Sequence, residues 1–126
     1  MQQPDPVLLA NTKEWLARAR EDLETAAYTL TAPAPFVRSA LFHCQQAVEK
    51  GIRATHNLIE LGEACAEIDP NLTSEVRQVA VLTKYAARFR YPGAPYEPSL
   101  EEARESLALA REFLGSVLAT LPPEVT

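Results

Sequence analysis

The chain has 126 residues, 47% of them hydrophobic and 23% charged, enough to bury one core and too few for two. That balance argues against a disordered chain. The net charge of −5 argues against broad, non-specific binding to phosphate backbones, although a local basic patch stays open.

The first residues, "MQQPDPVLLANTK", lack a basic region followed by a long apolar run, so no secretion signal is expected. No window approaches the roughly eighteen apolar residues of a membrane span, and the expected location is cytoplasmic. Cys44 and Cys65 have no paired spacing, which fits two buried, reduced thiols.

In chain order, Asn11 with Glu14 makes a capping box, and Trp15, Ala19, Leu23, Ala26 and Leu30 recur at helical spacing. A first helix is predicted from about Thr12 to Leu30, with 1–11 as a flexible tail. "TAPAPF" breaks it, because each proline removes a donor and restricts its predecessor. A second helix starts near Pro35, with Val37, Leu41, Cys44 and Val48 on one face. Gly51 after "EK" reads as a stop, so this helix is predicted to end at about Lys50, with "GIRAT" as a loop.

Asn57 with Glu60 reads as a capping box that opens a third helix carrying Leu58, Leu61, Cys65 and Ile68, ended by "DPN". A fourth is predicted from near Thr73 to the Pro/Gly-rich "RYPGAPYEP". Ser99 with Glu102 caps a fifth, whose Leu100, Ala103, Leu107, Ala110, Leu114 and Val117 run to about Leu121, leaving 122–126 as a tail. No segment alternates like a half-buried strand. The chain therefore reads as one all-α domain over 1–126, an up-and-down bundle of about five helices.

"WLARAREDLETAAYTL", "FHCQQAVEK", "THNLIEL", "LTKYAARFRYPG" and "EEARESLALAREFL", in that order, resemble the HEPN domain family across nearly the whole chain. The resemblance implies a homodimeric helical bundle, often paired with a minimal nucleotidyltransferase, whose members include RNA-cleaving toxins and nucleotide-associated partner proteins. Relatives carry several further helical turns after "EK"; here roughly ten residues, about three turns, look omitted, either by a natural shortening or as a disordered stretch absent from this chain. A real shortening would leave the first helix overhanging the second, with apolar surface for a partner subunit to cover.

The RNA-cleaving branch uses an Arg-x(4–6)-His motif late in the fold, the arginine for phosphate charge and the histidine for proton transfer. The matching region, Arg88 to Gly93, has no histidine, and none follows His56. The literal match, Arg38 to His43, lies in the second helix, where residues five apart diverge by about 140°. No catalytic residue is assigned.

The ligand-binding candidates are Arg88, Arg90 and Tyr91, two guanidinium groups for phosphate and a ring for stacking at a helix end, with His43, Lys50 and Gln46 on the second helix. The plainer alternative for Arg88 and Arg90 is a solvated helix terminus whose cations favour the dipole. That for His43 is a hydrogen-bonded packing residue, and for His56 a loop residue ahead of a cap. Asp22 and Glu49 read as surface or inter-helix partners, and "REDLE" as a solvated face. No HxxxH, CxxH or HxxE spacing suggests zinc, and no glycine-rich loop suggests a phosphate cradle, so no metal or cofactor is expected.

These expectations describe a nucleotide- or RNA-associated binding protein, homodimeric and partnered with a nucleotidyltransferase of the toxin–antitoxin kind. Two alternatives stay open: a metal-independent ribonuclease with a site formed across the homodimer, and a structural oligomerisation module.

Overall fold

The computed structural model describes residues 5–62 and 98–119, and every described element is α-helical. Three helices are seen: α1 (Pro6–Thr29), α2 (Val37–Gly62) and α3 (Leu100–Ala119). The predicted fourth helix, residues 90–97 of the "RYPGAPYEP" loop and Cys65 lie outside the described residues.

Helix α1 begins at Pro6, not near Thr12. Asp5 caps it, its Oδ1 accepting from the backbone N–H of Val7 at 2.9 Å and of Leu8 at 3.5 Å. Proline at the first helical position wastes no donor and is already set to helical φ. Asn11 is thus an exposed mid-helix residue, not a cap, and residues 6–11 are helix and not tail. Thr12, next to it, is buried and donates its hydroxyl to Leu8 O at 2.7 Å. The helix ends as expected at the proline-rich turn, which is closed by Phe36 N–H donating to Thr29 O at 3.1 Å.

Helix α2 corrects the largest expectation. It runs without interruption through Gly51 and Asn57 to Gly62, 26 residues against 24 in α1. The predicted stop, the "GIRAT" loop and the Asn57 cap do not occur, and the helix continues for about three turns beyond "EK". Helix α2 is thus at least as long as α1, and α1 does not overhang it. The reason lies in packing: a Cβ on Gly51 would stand 2.8 Å from Cε2 of Phe113 on α3. The glycine makes room for a buried ring instead of ending a helix, and its carbonyl accepts from Thr55 Oγ1 at 2.8 Å within the same helix.

The cap of α3 is as predicted: Glu102 N–H donates to Ser99 Oγ at 3.1 Å, and the Ser99 hydroxyl reaches Glu102 Oε1 at 3.4 Å. Helix α2 is the central element, packing most extensively on α1 and next on α3, while α1 and α3 touch over less area. The predicted stripes supply most of the core. Ala19, Leu23 and Ala26, then Leu41, Cys44 and Val48, then Ala103, Leu107, Ala110, Leu114 and Val117 are all buried. Leu16 and Phe113 join them.

Candidate functional site

Asp22 lies in the acidic stretch "REDLE", whose Arg20, Glu21 and Glu24 are exposed as expected. Asp22 itself is buried, because it shares the inward stripe of Ala19, Leu23 and Ala26. Its carboxylate meets two side chains of α2. His43 Nδ1 lies 2.8 Å from Oδ1, and Lys50 Nζ donates to Oδ2 at 2.5 Å.

His43 and Lys50 are seven residues apart, two turns of one helix, so they project from the same face. The side chains of Asp22, His43 and Lys50 are 11%, 26% and 23% exposed. With a neutral imidazole the aspartate and the ammonium cancel, so a half-enclosed polar cluster sits between α1 and α2 at no net charge. A second tie closes the other end of this seam, where the Arg53 guanidinium lies 4.8 Å from the centroid of the Trp15 ring.

Phe42 packs its ring edge-to-face against His43, with centroids 5.4 Å apart. Gln46 is half-buried on the same side of α2, between His43 and Lys50. Its neighbour Gln45 is buried, donates Nε2 to Glu49 Oε1 at 3.0 Å, and leaves its own Oε1 without a partner. Glu49 is therefore tied within its own helix, whereas Asp22 is the inter-helix partner.

His56 is exposed and stands thirteen residues from His43 on a continuous helix, about 20 Å away. The two histidines do not form one site. Arg38 shares that helix with His43, so the literal Arg-x(4)-His match diverges as expected. Cys44 is a packing thiol, its pKa pushed up to about 12 by burial, with Arg111 pulling weakly the other way. Among the described residues no group of acidic, histidine or cysteine side chains is arranged to hold a metal ion, and no helix is long and apolar enough to cross a membrane. Arg88, Arg90 and Tyr91 lie outside the described residues.

Sequence reasoning paired His43 with Lys50 but not with Asp22. The available signal was the position of Asp22, three residues after Ala19 and four before Ala26 on the buried stripe.

A long helical hairpin joined by a proline turn, with a third helix packed on its second arm and a His–Asp–Lys cluster in its seam, defines an all-α bundle with a polar inter-helix site. The sequence pattern of the HEPN domain matches residues 12–120, and the chain belongs to that family. No curated protein and no solved structure matches the chain.

Proposed function

We propose that this HEPN-domain protein is a nucleotide- or RNA-associated binding and partner protein of the cytoplasm. It acts as a homodimer beside a nucleotidyltransferase in a toxin–antitoxin type of system. The observation that carries this reading is the family match over 12–120.

Two features of the described residues support it. The cluster of Asp22, His43 and Lys50 supplies polar groups at the edge of a helical seam, where a small ligand meets an imidazole and an ammonium. Phe36, Phe42 and Leu109 expose apolar surface for a second subunit. Phosphate contact is assigned to Arg88 and Arg90, with Tyr91 stacking on the base and His43, Lys50 and Gln46 completing the ligand surface.

The test is incubation of the dimeric protein with labelled RNA and with labelled nucleotide in EDTA, beside an Arg88→Ala/Arg90→Ala variant of unchanged helicity. Binding that weakens in the variant, with the RNA intact, is the expected result. Cleavage by the wild type that disappears in the variant overturns this reading in favour of a ribonuclease.

A further inference from the structure

A carboxylate has no proton to give, so the His43 nitrogen that faces Asp22 must carry the hydrogen in the 2.8 Å contact. The Nδ1–H form of the imidazole is thereby selected, and its second nitrogen, Nε2, is left as an acceptor. Asp22 cannot turn away to release this choice, because Lys50 occupies its other oxygen at 2.5 Å and its side chain is only 11% exposed. The Phe42 ring stands T-shaped beside the imidazole, with centroids 5.4 Å apart.

Nε2 has no hydrogen-bond partner among the described residues. It is not among the buried orphan atoms either, and the His43 side chain is 26% exposed, so solvent reaches it. A carboxylate that fixes one imidazole nitrogen and exposes the other is the arrangement that prepares a histidine to take a proton.

We infer that Asp22 is a positioning residue that locks His43 in the Nδ1–H tautomer, with Nε2 presented as the acceptor for the ribose 2′-hydroxyl of a bound nucleotide. The ligand class rests on the nucleotide reading above; the tautomer does not. Lys50 belongs to the device because it pins the carboxylate. A cluster that merely clamps two helices gives the same tautomer, but it leaves Nε2 indifferent to ribose.

The experiment is long-range proton–nitrogen NMR of the uniformly labelled full chain at a pH of about 8.5, above the ordinary histidine range near 6.5. His43 and His56 are the two histidines of the chain, so exposed His56 is the internal reference. Wild-type His43 is expected as Nδ1–H. In Asp22→Asn the ammonium of Lys50 takes the amide oxygen, the amide NH₂ turns to His43, and the tautomer reverses to Nε2–H.

Titration with adenosine monophosphate is expected to shift the His43 Nε2 resonance, and its 2′-deoxy counterpart to shift it several-fold less. A wild-type Nε2–H tautomer overturns the inference, whatever the nucleotide does. Equal responses to the two nucleotides, or shifts elsewhere that bypass His43, overturn it while the nucleotide reading stands. No shift anywhere overturns the ligand assigned here and the nucleotide half of that reading, whose RNA half the labelled-RNA assay decides. The wild-type measurements decide the matter even if Asp22→Asn does not fold.

Discussion

Replacing Gly51 by alanine sets two effects of opposite sign against each other. Alanine in a helix interior is favoured over glycine by about 1 kcal/mol, so propensity alone predicts stabilisation. Against it stands the Phe113 ring, with Cε2 at 2.8 Å from the added methyl and two further ring carbons at 3.5 and 3.7 Å. Carbon atoms rest about 3.5 to 4.0 Å apart, so the nearest contact is short by about 0.7 Å. Phe113 is 2% exposed and cannot swing into solvent.

Overpacking of this kind costs about 1 to 3 kcal/mol. We take the upper half of that range, which leaves Gly51→Ala destabilised by about 1 to 2 kcal/mol after the propensity gain. Gly115 on α3 is the control, with nothing within 4 Å of its added Cβ among the described residues. Gly115→Ala is expected to stabilise by about 0.5 to 1 kcal/mol. Urea unfolding followed by far-UV circular dichroism separates the two variants. In a Phe113→Leu background, Gly51→Ala is expected to become neutral or stabilising. A Gly51→Ala protein as stable as wild type, or a penalty that is undiminished in the Phe113→Leu background, refutes the packing argument.

Removing the Asp22 carboxylate with Asp22→Ala strands Lys50 and His43 in a half-enclosed seam, and a loss of about 1 to 3 kcal/mol is expected in the same unfolding assay. Asp5→Ala removes the side-chain acceptor at the start of α1 and is expected to cost about 1 kcal/mol, read as a lower urea midpoint at unchanged slope. Arg53→Ala uncovers Trp15, the single tryptophan, so its emission is expected to shift with a loss of about 0.5 to 1 kcal/mol. The Cys44 thiol, raised from 9.0 to about 12, holds its proton in the folded chain after the unfolded chain has lost it. The stability it contributes is present below pH 9 and declines as pH rises toward 12. In a Cys65→Ser background, Cys44 is expected to resist alkylation at pH 9 until urea unfolds the protein; rapid labelling of the folded protein contradicts its burial.

The helical stripes were legible because apolar residues at spacings of three and four have one physical meaning, and the Ser99–Glu102 signal stood beside a proline that permitted no earlier start. Gly51 was not legible. A glycine after a glutamate and a lysine has the same appearance whether it ends a helix or admits a ring, and the ring comes from Phe113, sixty-two residues away in sequence. Asn11 and Asn57 misled for a related reason: a polar residue followed three positions later by glutamate also occurs along the outside of any helix. The true cap, Asp5, went unread because the Asn11–Glu14 pair drew the helix start downstream and left residues 1–11 as tail. At the site, the sequence placed His43 and Lys50 on one face, yet the charge run around Asp22 concealed that this single carboxylate turns inward.

Among the described residues, seven of the sixteen buried apolar side chains are alanines, spread over all three helices: Ala19, Ala26, Ala40, Ala47, Ala54, Ala103 and Ala110. These seven positions have no rotamers to freeze when the seam forms, since alanine surrenders no side-chain entropy on burial. An interior packed in this way is expected to tolerate exchange only in matched volumes, an enlargement on one helix answered by a reduction on the one it faces.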